Sequence, residues 1–238
     1  EGNWYSINSS NNSFFTAKWG LDGDKLVPAD YNGDARSDLA VYRNGVWYIF
    51  ESSVNQVRAV PFGVSDDLPR PGDFDGDGKA DIGVFRPSSG TWHFQLSGNG
   101  QYGGIQFGAS GDAPMLGDYD GDGKSDIAVF RPSNGIWFVR RSSDNQVQVS
   151  PFGSSGDIPL NGDFNGDGKA DLAVFRPSDG IWYVAKPIGL PAQNFDATYF
   201  GTATDTPVPA DYDGDGKTDI AVYRGNGEWY QLRSSNGQ

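Results

Sequence analysis

One acidic nonapeptide occurs five times in this chain: "DYNGDARSD" from Asp30, "DFDGDGKAD" from Asp73, "DYDGDGKSD" from Asp118, "DFNGDGKAD" from Asp163 and "DYDGDGKTD" from Asp211, at intervals of 43, 45, 45 and 48 residues. A period of this length restricts the fold to tandem copies of one supersecondary unit, since a unit of about 45 residues buries its apolar face only against its neighbours. Other landmarks keep the same step. An aromatic-Gly pair precedes each loop by 11 residues (Trp19, Phe62, Phe107, Phe152 and Phe200, each followed by Gly), and an Asp follows each aromatic by five (Asp24, Asp67, Asp112, Asp157, Asp205). After each loop comes an apolar run ending in Arg (Arg43, Arg86, Arg131, Arg176, Arg224), then a Trp (Trp47, Trp92, Trp137, Trp182, Trp229). Trp4 stands 15 residues before Trp19, the spacing that also separates Trp47 from Phe62.

Each unit divides into four short strands. "DIAVFR" (strand a) is apolar on both faces, as suits a strand buried between layers. "RPSNGIW" supplies a tight turn into "IWFVR" (b), the segment ending in the aromatic-Gly pair alternates as a third strand (c), and the Pro-bearing "IPLNGDF" reads as a short edge strand (d). No segment carries helical apolar spacing. The 34 Gly and 14 Pro in 238 residues, with 14% aromatic residues, agree with many short strands joined by turns. Four antiparallel strands per repeat predict an all-β, five-bladed β-propeller spanning 1–238 as a single domain, in preference to a β-solenoid, whose coils are shorter and need no hairpins.

The acidic loop has the composition of a metal site. In the second copy, Asp73, Asp75, Asp77 and Asp81 place carboxylates at positions 1, 3, 5 and 9, while Lys79 at position 7 offers its backbone carbonyl. The other loops supply Asp30, Asn32, Asp34, Arg36 and Asp38; Asp118, Asp120, Asp122, Lys124 and Asp126; Asp163, Asn165, Asp167, Lys169 and Asp171; and Asp211, Asp213, Asp215, Lys217 and Asp219, with Arg36, Lys124, Lys169 and Lys217 again acting through the carbonyl. Six or seven hard oxygens suit Ca²⁺ better than Mg²⁺, and the first positions match an EF-hand loop that here runs into a strand. A single acidic turn would be an ordinary solvated loop; five copies of mutually repelling carboxylates point to calcium. Of the 31 acidic residues, 18 lie in these loops, so five Ca²⁺ would bring the net charge of −13 to about −3. Ala35 replaces the second glycine and Arg36 the lysine in the first loop, which is expected to be the weakest site.

These residues carry a resemblance. The "DxDGDGxxD" loop leading into "DIAVFRP", with its recurring "FG", resembles the FG-GAP/VCBS-type repeats of bacterial secreted proteins and, more distantly, the calcium-bearing blades of integrin α-subunit propellers. That resemblance covers nearly the whole chain. It implies a propeller with Ca²⁺ in inter-strand loops, an extracellular or cell-surface location, and adhesion or ligand binding rather than catalysis.

The remaining features exclude more than they assign. The net charge of −13 with no Lys/Arg cluster argues against nucleic acid. No apolar run is long enough to cross a membrane, and no cysteine is present for disulfide or thiolate chemistry. The opening carries no basic and apolar leader. No residue is assigned a catalytic role: His93 occupies the aromatic slot after Trp, and Glu1, Glu51 and Glu228 form no evident pair. The repeated Arg is expected to pair with the repeated Asp, and the repeated Trp to pack between blades. The irregular stretch Lys186 to Phe200, longer than its counterparts, is a candidate binding loop or a neutral extension. Asn8 and Asn11 are glycosylation sequons that also read as a polar hairpin loop.

Strand arithmetic adds an alternative. The chain runs b-c-d, four complete a-b-c-d sets, then a-b. A ring closed by joining the C-terminal a and b to the N-terminal c and d leaves one b strand over, either "NWYSI" at 3–7 or "EWYQL" at 228–232. Besides truncation or fraying, such a strand permits donation to another molecule and growth of a filament. Three functions are thus expected in descending order: a non-enzymatic extracellular propeller binding a glycan or protein, a filament subunit, and a polysaccharide-active enzyme.

Overall fold

The computed structural model describes residues 2–7, 13–51, 53–186 and 194–238. All regular structure among them is β, in antiparallel sheets. The chain forms two compact units, Glu1–Ser110 and Gly111–Gln238.

The first unit opens with a hairpin of β1 (Asn3–Ile7) and β2 (Phe14–Lys18). Two four-stranded sheets follow: β3 (Lys25–Leu26), β4 (Leu39–Arg43), β5 (Val46–Glu51) and β6 (Gln56–Pro61); then β7 (Leu68–Pro69), β8 (Ile82–Arg86), β9 (Thr91–Gln95) and β10 (Tyr102–Gln106). The second unit holds β11 (Ala113–Gly117), β12 (Asp126–Arg131), β13 (Ile136–Arg140) and β14 (Val147–Pro151), then β15 (Ile158–Gly162), β16 (Asp171–Arg176), β17 (Ile181–Ala185) and β18 (Phe195–Tyr199), and a three-stranded sheet of β19 (Thr206–Pro207), β20 (Ile220–Arg224) and β21 (Glu228–Leu232). In each of these the strands lie in sequence order, the up-and-down meander of a β-propeller blade.

The a strands are the buried ones, as their two-sided apolar sequence requires: Ala128, Val129 and Phe130 are closed off from solvent, as are Ala173, Val174 and Phe175. Trp47, Trp92, Trp137 and Trp182 on the b strands are fully buried against them. Trp92 packs on Phe85, Trp137 on Phe130 and Trp182 on Phe175, with ring centroids 5.3 to 5.6 Å apart. The indole Nε1 of Trp47, Trp92 and Trp182 donates to the carbonyl of the aromatic that ends strand c, at 3.1, 3.0 and 2.7 Å. The a–b turn needs glycine for two reasons. Gly90, Gly135 and Gly180 have φ of +64°, +67° and +70°, and a Cβ on any of them would collide with the carbonyl of the Gly after the strand c aromatic.

Two expectations about strand order require correction. The d strand pairs with the a strand that follows it, so each blade reads d-a-b-c. The acidic loop is the d–a connection, closed by bridges such as Ala29 to Asp38, Gly72 to Asp81 and Ala210 to Asp219, and a loop joining antiparallel neighbours keeps its flanks in one sheet. Consequently β3 belongs to the first full blade, and the last blade draws three of its strands, β19–β21, from the C-terminal repeat. Nor is that blade four-stranded among the described residues: β2, the N-terminal c-type strand, is paired with β1.

Candidate metal centre

Each acidic loop is shaped by its own carboxylates. In the second copy, Asp73 Oδ1 accepts the N–H of Gly76 and Asp77 at 2.6 and 3.2 Å, and Asp73 Oδ2 accepts that of Gly78 at 2.8 Å. Asp75 and Asp77 each accept the N–H two residues on. Such Asx turns wrap the backbone tightly, and the left-handed glycines Gly76 and Gly78 permit it. Ala35 holds the same left-handed conformation in the first loop, with φ of +62°, a position at which any Cβ is unfavourable.

The ninth residue anchors the loop to the blade. Asp38, Asp81, Asp126 and Asp219 are shielded from solvent, and Asp171 nearly so. Asp81 accepts the N–H of Phe74 at 2.7 Å and of Ser97, at the b–c turn, at 2.6 Å; Asp126 and Asp219 receive Ser142 and Ser234 in the same way. Burial outweighs these bonds and pushes the carboxyls of Asp81 and Asp126 above their ordinary range, and that of Asp171 up to about 6.

The serines of the b–c turn complete the site, and the sequence reading missed them. Ser97, Ser142 and Ser234 hydroxyls donate to the position 5 carboxylates Asp77, Asp122 and Asp215 at 2.9, 2.7 and 2.8 Å. Ser143 and Ser235 donate to the position 3 carboxylates Asp120 and Asp213. The signal was a "SS" or "SG" dipeptide after the b strand in four repeats. In the fourth repeat this turn falls within 187–193, outside the described residues, as do Asn8 and Asn11.

Loops are also joined within each unit. The N–H at position 8 donates to the position 1 carbonyl of the preceding loop: Ala80 to Asp30, Ala170 to Asp118 and Thr218 to Asp163, at 2.7, 2.7 and 2.6 Å. Lys79, Lys169 and Lys217 lay their alkyl chains over Gly33, Gly121 and Gly166 of that loop, and Lys169 Nζ donates to the Asp120 carbonyl at 2.9 Å. The position 7 lysine thus has a side-chain role beside any carbonyl it contributes.

Ligand-type oxygens converge in Asp73, Asp75 and Asp81, in Asp118, Asp120 and Asp122, and in Asp211, Asp213 and Asp219, where they lie within 4.8 Å of one another. In the first and fourth loops the position 3 residue is an amide, and Asn32 and Asn165 donate to Asp38 and Asp171 at 3.4 and 2.8 Å. In the first loop the Ser53 hydroxyl beside Asp34 holds its carboxyl below the ordinary range. In the second, third and fifth loops the clustered carboxylates form a donor set of hard oxygens that fits a hard cation.

Other candidate residues have structural partners. All five Arg–Asp pairs form two-pronged bridges: Arg43 to Asp24, Arg86 to Asp67, Arg131 to Asp112, Arg176 to Asp157 and Arg224 to Asp205. Four of these guanidiniums also cover the aromatic after Trp, on Tyr48, Phe138, Tyr183 and Tyr230 at 4.4 to 4.9 Å. His93 fills that slot in the second blade, where it meets Tyr102 Oη at 2.5 Å, and burial lowers its pKa. Glu51 pairs with Arg58 at 3.3 Å, and Glu228 accepts from Tyr230 and Asn226.

Among solved structures, a lectin from Agrocybe aegerita described as recognising non-reducing terminal N-acetylglucosamine matches with a TM-score of 0.63 at 17% identity, over 97% of this chain and 74% of that one. A virginiamycin B lyase from Staphylococcus aureus matches at 0.54 and 11% identity, over 88% and 74%. A protein of unknown function from Bacteroides caccae matches at 0.59 and 9% identity, over 96% and 85%. At these identities the likeness is one of fold. No curated protein sequence matches the chain. The FG-GAP-like repeat matches residues 73–129 and 163–222, and the FG-GAP repeat matches 110–150, which together exceed half the sequence. With acidic d–a loops, paired Arg and Asp and meander blades recurring in step, the chain belongs to the FG-GAP repeat proteins and folds as a β-propeller.

Proposed function

We propose that this chain is a non-enzymatic, calcium-stabilised propeller that works outside the cell as a scaffold for binding a glycan or a protein. The observation that carries the reading is the convergence of carboxylate oxygens in the d–a turns of the second, third and fifth loops. Positions 1, 3, 5 and 9 of each loop would hold the ion, which supplies positive charge where three or four carboxylates otherwise repel. Extracellular calcium, far more abundant than cytosolic, keeps sites of modest affinity loaded.

Ligand contacts belong on connections rather than on the blade strands. In the second unit a cleft of about 310 Å³ lies between Phe164 and Asn165, the Lys186–Asp196 ion pair and Arg233. Its mixed apolar and polar lining suits a sugar ring with its hydroxyls. The lectin fold among the similar structures makes glycans the first class to try. A glycan array probed with the chain in calcium and in EDTA tests this: binding in calcium that is lost in EDTA and weakened by Arg233→Ala is expected. Absence of any glycan or protein partner, or release of sugar product from a polysaccharide, would overturn it.

A further inference from the structure

We propose that the open edge of β21 takes the Phe14–Lys18 strand of a second copy of this chain, displacing that copy's own β1, so that copies join head to tail. The two b-type strands concerned are near duplicates: Gly2-Asn3-Trp4-Tyr5 and Gly227-Glu228-Trp229-Tyr230. Every b–c hairpin in the structure uses one register, with Trp opposite the residue two before the aromatic: Trp4 and Ala17, Trp47 and Val60, Trp92 and Ile105, Trp137 and Ser150, Trp182 and Thr198. Each is locked at the turn by the aromatic's N–H donating to the Gly carbonyl, from Trp19 to Gly2 as from Phe62 to Gly45. The Trp4 indole donates to the Trp19 carbonyl at 2.7 Å, as Trp47, Trp92 and Trp182 do to the carbonyls that end their c strands. β1 therefore occupies, on β2, the place a blade's b strand takes.

β21 has all of this except the partner. Among the described residues it pairs only with β20, and Trp229 is 55% exposed where the four complete blades bury theirs entirely. The common register sets Trp229 opposite Ala17, Tyr230 opposite Thr16 and Glu228 opposite Lys18. The last pair puts a carboxylate against an ammonium where β1 offers Asn3.

Exchange is favoured because the incoming strand is already ordered. β21 is held by five residue pairs to β20 and by Arg224 over Tyr230, whereas β1 pairs among the described residues with β2 alone and exposes Tyr5 and Ile7. Replacing β1 by β21 conserves the ladder pair for pair while the displaced segment regains its conformational freedom. β21 thus competes with β1 for a β2 strand, here that of another copy; pairing with the same chain's β2 is the outcome that cross-linking distinguishes. Donor and acceptor are different surfaces, and the contact repeats without closing on itself.

A cysteine-free chain allows a direct test. Tyr230→Cys with Thr16→Cys in one chain places thiols at facing, closely spaced positions of the proposed ladder. Mild oxidation of the 238-residue protein at rising concentration is expected to give a ladder of disulfide-linked multimers, several-fold weaker in the Tyr230→Cys with Ala17→Cys control, whose second thiol points to the opposite face. Removing residues 1–7 should raise the yield of multimers. A fast-running monomer with an internal disulfide would show that the chain closes on its own β2 and would overturn the proposal. So would no cross-link, or equal cross-linking in the control.

Discussion

Asp205 and its four counterparts show how one residue pair is made to serve five blades. Each takes two N–H bonds from the guanidinium of the Arg that ends strand a, and Asp24, Asp67, Asp157 and Asp205 accept a third from their own turn, as Thr202 N–H does to Asp205 at 3.0 Å. The Arg224 guanidinium holds the Asp205 carboxyl down at about 2, below the ordinary value near 3.9. A depressed pKa stabilises the fold above pH of about 4 and loses that contribution as pH falls toward about 2. Asp171 runs the other way in the metal-free chain: burial pushes it up to about 6, so its contribution is lost as pH rises through that value. In EDTA the melting temperature should therefore peak near pH of about 4 and decline from there toward pH of about 6. Calcium bound in the fourth loop would keep Asp171 ionised and should extend the plateau to higher pH. Coincident melting profiles with and without calcium between pH 3 and 8 would contradict this assignment. The Arg–Asp pairing was legible because both residues keep the repeat step. The serines on the acidic loop were not, since a hydroxyl pair in a polar turn has no periodic apolar signal of its own.

Strands a, b and c were legible from alternation and turn residues, and their register follows from the Trp and the aromatic-Gly pair. The allegiance of strand d was not, because a two-residue strand such as Leu68–Pro69 has no pattern of its own, and only its link through the acidic loop assigns it to the next a strand. The b strand of each complete blade carries a fully buried Trp that the last sheet leaves exposed, which gives a contrast between equivalent positions. Trp137→Ala opens a cavity behind Phe130 and should cost about 3–5 kcal/mol. In dilute solution Trp229→Ala, at an exposed copy of the same position, should change stability by less than about 0.5 kcal/mol. Urea unfolding of the two variants checks this; equal losses would mean that Trp229 is buried in solution.

For the molecule as a whole, the acidity of the loops is the dominant electrostatic fact. With 18 of 31 acids in five turns, the loops without cations set like charges within a few ångströms of one another, opposed among the described residues by serine hydroxyls, asparagine amides and backbone N–H groups. Chelation should lower the melting temperature by on the order of 10 °C or more, with partial recovery in high salt through screening. An unchanged melting curve in excess EDTA would remove the case for metal. The loops do not stand alone, however. In each unit, hydrogen bonds run from a later loop's position 8 to an earlier loop's position 1 carbonyl. Each such bond couples both of its loops, so in the second unit slack at Asp163 would reach Asp118 on one side and Asp211 on the other, and turns without ions would loosen there as a run of neighbours rather than as independent clasps.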